Sequence, residues 1–200
     1  MVRKSPGTAG NRRASRVWKG ENIKDLFNRE IRYMRISITD KCNLRCTYCM
    51  PEGEVPRREH SEFLSFEEIV RIVQVAVSLG ISKVRLTGGE PLVKRGITDL
   101  VGMLKAIPGL EQLAMTTNGV LLADMAAGLR KAGLDSLNIS VDTLDPLRYR
   151  AITRCGNLAD TLAGIEAARV QGFPIKINTV VSDTTTDEEI ACLAAFCKQG

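Results

Sequence analysis

The sequence predicts an α/β fold, an incomplete (β/α) barrel of about five strand–helix units. Three observations predict it. Short strand-like runs alternate with longer helical stretches over most of the 200 residues, and such alternation implies parallel strands joined by right-handed crossovers. Within the strands apolar and polar residues alternate, whereas parallel strands covered on both faces read as continuous apolar runs. The apolar set can therefore face the helices while the polar set lines a cavity. Finally, a cysteine-rich loop, Gly88-Gly89-Glu90 and Asn118-Gly119 all follow strands, at the ends where the working groups of a barrel gather. An antiparallel sheet with one wet face would alternate in the same way, but the intervening helices argue against it.

Residues 1–22 form a basic tail expected to be disordered. Arg3, Lys4, Arg12, Arg13, Arg16 and Lys19 stand among Gly, Ser and Pro, with no acid in the first twenty residues. The whole chain carries +5, so the domain of residues 23–200 is close to neutral and its charge gives no reason to expect nucleic acid as a partner. An Arg-rich, acid-free start also fits an organelle transit peptide, although no amphipathic pattern accompanies it.

Ile23 to Ile31 reads as a short turn or helix. The first strand, Met34 to Thr39, sets Met34, Ile36 and Ile38 against Arg35, Ser37 and Thr39. A helix follows from Ser65, with Glu68 completing a capping box, and Gly80 ends it. The second strand, Lys83 to Thr87, opposes Val84 and Leu86 to Arg85 and Thr87, and a helix runs from about Lys94 to Ala106. The third strand, Gln112 to Thr116, opposes Leu113 and Met115 to Thr116 and Asn118, before a helix of Leu121 to Ala132. The fourth, Ser136 to Val141, opposes Leu137, Ile139 and Val141 to Asn138, Ser140 and Asp142; a loop and a helix from about Leu158 to Gln171 follow. The fifth, Pro174 to Val181, opposes Ile175 and Ile177 to Lys176 and Asn178, and Thr186 with Glu189 caps a last helix.

Hydrophobic content of 44% and charged content of 26% are ordinary for a soluble chain. No apolar run approaches the ~20 residues that cross a membrane, and no apolar signal-peptide core stands near the start. A cytoplasmic protein is expected, without a membrane partner.

Cys42, Cys46 and Cys49 stand at spacing C-x3-C-x2-C. Thiolates so close in sequence can face one metal centre, but three do not complete a structural zinc site, which takes four ligands. They can hold three irons of a 4Fe-4S cubane and leave the fourth open, unlike the four-cysteine clusters of electron carriers. Cys155, Cys192 and Cys197 fit no metal spacing and are expected to be small buried residues. His60, the single histidine, reads as a solvated loop residue without a role.

The cysteine spacing resembles that of the radical S-adenosylmethionine (SAM) enzymes. The longer string Ile38-Thr39-Asp40-Lys41-Cys42 through Cys49-Met50-Pro51, with Arg85-Leu86-Thr87-Gly88-Gly89-Glu90-Pro91-Leu92, Thr116-Thr117-Asn118-Gly119 and Leu137-Asn138-Ile139-Ser140-Val141-Asp142, is similar to the GTP 3′,8-cyclases of molybdenum cofactor biosynthesis. The resemblance implies a lyase in which Cys42, Cys46 and Cys49 hold a 4Fe-4S cluster. SAM would chelate the open iron, and its reductive cleavage would give a 5′-deoxyadenosyl radical. That radical would take hydrogen from C3′ of GTP, and the carbon radical would attack C8 of guanine. The matching positions place Tyr48, Gly89 and Ser140 against SAM, and Arg35, Arg85, Thr116 and Lys176 against GTP. No side chain is given a catalytic role beyond cluster and SAM.

The resemblance also implies a low-potential electron donor, a homodimer or the next enzyme of the pathway as partners, and a second 4Fe-4S cluster held by C-terminal cysteines that have no match here. From this the chain is expected to be a front portion, truncated before the remaining strands. The residues themselves leave plainer roles open: Tyr48 as an aromatic cover, Gly88-Gly89 as a turn, Ser140 as a strand-end hydrogen bond, and Asp142 or Asp40 as a partner for one of the cations. Two further functions stay open, a radical SAM enzyme acting on a peptide and a non-catalytic zinc or nucleic-acid module using the tail.

Overall fold

The computed structural model describes residues 23–51, 53 and 63–198; the basic tail and His60 lie outside them. Five strands, β1 (Tyr33–Ser37), β2 (Lys83–Thr87), β3 (Gln112–Thr117), β4 (Ser136–Ser140) and β5 (Ile175–Asn178), form one open sheet in sequential order. Every pairing is parallel, as crossover helices require. The helices are α1 (Phe66–Ser78), α2 (Ile97–Lys105), α3 (Leu122–Lys131), α4 (Pro146–Thr153), α5 (Leu158–Val170) and α6 (Asp187–Lys198). The expected α/β class and the five-unit partial barrel are both present.

The alternation sorts the sheet as expected. Val84, Leu86, Leu113, Met115, Leu137 and Ile139 are buried in one core with Leu100, Leu104, Leu122, Leu129 and Ile165 of the helices. The other face stays open, so Arg35 and Lys176 are exposed and Arg85, Thr116 and Asn138 half-buried. Register aligns this open face across the strands. Arg35 stands opposite Arg85, and Thr116 opposite Asn138, which stands opposite Lys176.

α1 begins where the capping box places it: Ser65 accepts from the Glu68 amide, and the Glu68 carboxylate accepts from the Ser65 amide. Elsewhere local chemistry moved the boundaries. Residues 23–31 form no helix; the Asp25 carboxylate accepts from the amides of Phe27 and Arg29, closing a turn bridged by Lys24 and Glu30. The helix expected from Lys94 starts only at Ile97, because Pro91–Val93 form a 3-10 turn and Gly96 takes φ 77 before it. The loop expected after β4 contains α4, begun by Asp145 capping the Arg148 amide with Pro146 in the first turn. β3 ends at Thr117, so Asn118 stands one residue past the strand; Ala114 shares the open face with Thr116, while Thr117 turns inward and is 2% exposed.

The expectation that Cys155, Cys192 and Cys197 are buried is wrong: all three are exposed. Cys192 and Cys197 ride the outer side of α6, whose buried residue is Leu193, and Cys155 follows α4 in a turn. Among the described residues no helix is long and apolar enough to cross a membrane.

α5 crosses the Asn118-Gly119 turn at Gly164, where a Cβ would collide with the Gly119 carbonyl and come within 3.1 Å of Leu122 Cβ. Gly164→Ala sets a helix-propensity gain of about 1 kcal/mol against overpacking of about 1–3 kcal/mol on backbone that cannot yield. A fall of several degrees in the unfolding midpoint is expected by calorimetry. An unchanged midpoint would show that α5 can shift aside.

Candidate functional site

The cysteine loop leaves the C-terminal end of β1 and is braced by the end of α4. The last carbonyls of a helix lack intrahelical donors, and here loop amides use them: Arg45 N–H donates to Thr153 O at 3.1 Å and Thr47 N–H to Ile152 O at 2.9 Å. In return Arg154 Nη1 donates to the carbonyls of Arg45 (2.9 Å) and Met50 (3.0 Å). Leu44 is buried at this contact, over Gly156, where a Cβ would come within 2.8 Å of it. Inside the loop the amides of Cys49 and Met50 both point to Cys46 O, at 3.0 and 2.9 Å.

Cys42 and Cys46 are half-buried and Cys49 is exposed. Among the described residues no three His, Cys, Asp or Glu side chains close to metal-ligating distance. Burial pushes the Cys46 thiol up to about 11, and Asp142, Cys42 and Cys49 add to the rise. Burial raises Cys42 as well, opposed by the Leu44 amide and reinforced by Glu90 and Cys49. Bound iron would reverse that balance, since a coordinating thiol is deprotonated outright. The Cys42 sulfur also accepts from Leu44 N–H at 3.4 Å and faces Asn118 Nδ2 at 3.9 Å. Such hydrogen bonds stabilise a cluster sulfur. Three soft thiols on one loop with amide donors aimed at a sulfur fit a 4Fe-4S cluster.

Glu90 ties the neighbouring strand ends together. It is 1% exposed. Its Oε1 accepts from Leu92 N–H (3.0 Å) and Thr117 Oγ1 (2.7 Å), and its Oε2 from Asn118 N–H (2.7 Å). Burial pushes its pKa up, while these three donors pull against it. Asn118 carries the linkage to the loop, its Nδ2 donating to Asn43 Oδ1 at 2.8 Å. Thr161 of α5 supports it from behind, donating to Asn118 O at 3.1 Å, and meets Tyr149 of α4 at 2.7 Å.

The glycine pair serves this same closure. Gly89 N–H donates to Thr39 O at 2.7 Å and Glu90 N–H to Lys41 O at 2.8 Å. A Cβ on Gly88 would meet Thr39 O at 2.5 Å, and one on Gly89 would run into the Lys41 carbonyl. The close approach that glycine allows here is to the chain's own backbone.

Tyr48 is 53% exposed, and its side chain lies against that of Cys46. Its hydroxyl donates to Asp142 Oδ2 at 2.7 Å, while Val180 N–H donates to Asp142 Oδ1 at 2.9 Å. Burial and the Asp142 carboxylate both raise the phenol's pKa. Asp142 is thereby occupied by neutral donors. A cavity of about 410 Å³ opens beside this pair, lined also by Thr47, Arg148, Ile152 and Val180. Ser140 ends β4, in register with Asn178.

On the open face, none of Arg35, Arg85 and Lys176 forms an ion pair among the described residues. Arg85 Nε is buried without a hydrogen-bond partner; its Nη1 reaches only Thr116 Oγ1 at 3.4 Å, and its guanidinium lies 5.9 Å from the Tyr33 ring centre. Lys83 shares this face two residues before Arg85 and is a cation that sequence reasoning passed over. Glu90, Asn118 and Arg154 were also missed as organising residues. The Asn-Gly turn and the strand alternation pointed to Asn118 and Lys83, but no local pattern announces the other two.

Residues 36–197 match the Radical SAM superfamily model. The GTP 3′,8-cyclase of Heliobacterium modesticaldum is 50% identical over 176 residues, 88% of this chain and 54% of its own length. That of Geobacter sulfurreducens is 52% identical over 171 residues, 85% of this chain and 52% of its own. The chain thus spans about half the length of these curated relatives. Among solved structures, Streptococcus suis SuiB bound to S-adenosylmethionine superposes with TM-score 0.69 at 21% identity, covering 84% of this chain and 36% of that one. Methylornithine synthase gives 0.69 at 20% identity, with 84% and 50% covered; at such identities the likeness concerns the fold. With three thiols on the loop after β1, a glycine pair closing on that loop from β2 and a model match over most of its length, the chain belongs to the radical SAM superfamily, whose members work through a 4Fe-4S cluster and S-adenosylmethionine.

Proposed function

We propose that the chain is the cluster-bearing portion of a GTP 3′,8-cyclase of molybdenum cofactor biosynthesis. The observation that carries this reading is the open sheet face. Among the described residues it presents Arg35, Arg85 and Lys176 without acidic partners, and one of them holds a buried, unpartnered Nε. An unsatisfied buried donor is costly, and an anion supplies what it lacks. Arginine grips phosphate oxygens through paired hydrogen bonds, while lysine adds a point charge. A triphosphate matches a row of separate cations, as no P-loop is present in the sequence. The names of the relatives point the same way.

In this reading Cys42, Cys46 and Cys49 hold the cluster, and Tyr48, Gly89 and Ser140 contact SAM. Arg35, Arg85, Thr116 and Lys176 contact GTP. When bound, the cluster and SAM supply a 5′-deoxyadenosyl radical by one-electron reduction. The protein's own residues orient and exclude. Arg85, steadied by Thr116, fixes the substrate's anionic end, and Asp142 holds the Tyr48 hydroxyl beside the cavity. A low-potential donor, a homodimeric state, cytoplasmic location and a second 4Fe-4S cluster in the part of the relatives not spanned here complete the proposal.

The test is anaerobic reconstitution with iron and sulfide, followed by dithionite and SAM, with 5′-deoxyadenosine measured by chromatography. Isothermal titration then compares GTP with a peptide. Iron binding with GTP uptake is expected. Zinc in place of iron, or uptake of the peptide but not GTP, would overturn the reading.

A further inference from the structure

We infer that Arg154 is a positioning residue that clamps the cysteine loop in the shape that retains its cluster, an inference that rests on the cluster reading above. Arg154 adopts φ 62, ψ −36. Among the described residues the other non-glycine residue at positive φ is Asn28, a type that tolerates this region, whereas a long side chain there is uncommon. Such strain persists only where the surroundings enforce it. Here it aims one guanidinium nitrogen at two carbonyls of the loop, those of Arg45 and Met50.

These two carbonyls bracket the stretch that carries Cys46 and Cys49. The preceding residues of α4 grip the same stretch in the opposite sense, Ile152 and Thr153 accepting from Thr47 and Arg45. Donors and acceptors of the loop are thus both met at one helix end. Releasing Arg154 frees the Met50 end while the backbone pairs at Arg45 and Thr47 remain. Cys49 keeps its amide bond to Cys46 O but loses its anchor to the helix end, so its thiol is no longer held in place against the other two, although the fold around them is intact. Both bonds leave Nη1, and a lysine at this position ends one bond short of that atom, so its ammonium reaches the two carbonyls less well.

The experiment compares wild type, Arg154→Gly and Arg154→Lys, each reconstituted anaerobically. Iron release to a chelator, the electron paramagnetic resonance spectrum of the reduced cluster and the unfolding midpoint of the metal-free protein are read for each. Arg154→Gly removes the clamp but also the backbone strain, so its midpoint is expected within a degree or two of wild type. Its iron release is expected to be roughly tenfold faster, the scale of lost hydrogen bonds to a charged donor, with a broadened spectrum. Arg154→Lys, which keeps the strain and the charge, is expected to release iron several times faster than wild type. Wild-type release rates in either variant would overturn the clamp. So would a fall in midpoint that tracks the loss of iron, which would mark Arg154 as a brace for α4 alone. A wild-type protein that takes up no iron would overturn the cluster reading itself.

Discussion

Replacing Glu90 with alanine is expected to destabilise the protein by at least about 3 kcal/mol, the largest single effect anticipated outside the core. The carboxylate is buried and accepts from Leu92 N–H, Thr117 Oγ1 and Asn118 N–H. Its removal leaves three donors without an acceptor, each costing about 1–3 kcal/mol, and opens a cavity besides. Domains of this kind are stable by only about 5–15 kcal/mol, so the loss is a large fraction of the total. Urea unfolding measures it, and a loss under about 1 kcal/mol would show that water or a neighbouring group takes over the three donors.

Glu90→Gln separates shape from charge, because it keeps an acceptor oxygen at one position. Glu90 has its folded pKa raised by burial, so the folded state binds more protons than the unfolded state through the affected range. Its contribution is therefore fully present below the unfolded value near 4.5 and declines as pH rises through the raised folded pKa. The glutamine variant is expected to lack that decline.

Arg85→Met is expected to weaken GTP binding roughly ten- to a hundredfold, the equivalent of one or two charge-assisted hydrogen bonds at about 1.5–3 kcal/mol. The same change is expected to leave the fold as stable as before or more so. Arg85 holds a buried Nε with no partner and no ion pair among the described residues, and methionine replaces the stem without the desolvated charge. Isothermal titration and thermal unfolding on one preparation read both effects. Unchanged GTP affinity would sink the assignment of the open face. Lower stability with unchanged affinity would make Arg85 a structural residue held by Thr116 and Tyr33.

What the sequence disclosed was local. Strand β2 is bounded as the alternation of Lys83 to Thr87 predicts, and α1 starts where Ser65 and Glu68 say it must. Both signals are complete within a few residues. The helix α4 escaped because only Tyr149 and Thr153 of it are buried, too few to show a stripe, although Asp145-Pro146 offered a start signal. In the candidate site the thiols, the glycine pair and the open-face cations were legible from spacing and alternation. Glu90 as a hub was not, since its partners Thr117 and Asn118 lie 27 and 28 residues away. Nor was Arg154, whose strain appears only once the backbone is traced.

The brace between Arg154 and the cysteine loop joins residues 109 apart in sequence. The loop therefore leaves the ribosome long before the helix end that steadies it. At ordinary elongation rates the interval is roughly 5–20 s. During that time the thiols are present but unfixed, open to oxidation or to a stray metal. Cluster loading then belongs after translation has passed α4, and conditions that slow elongation across residues 50–154 would lower the yield of iron-loaded protein.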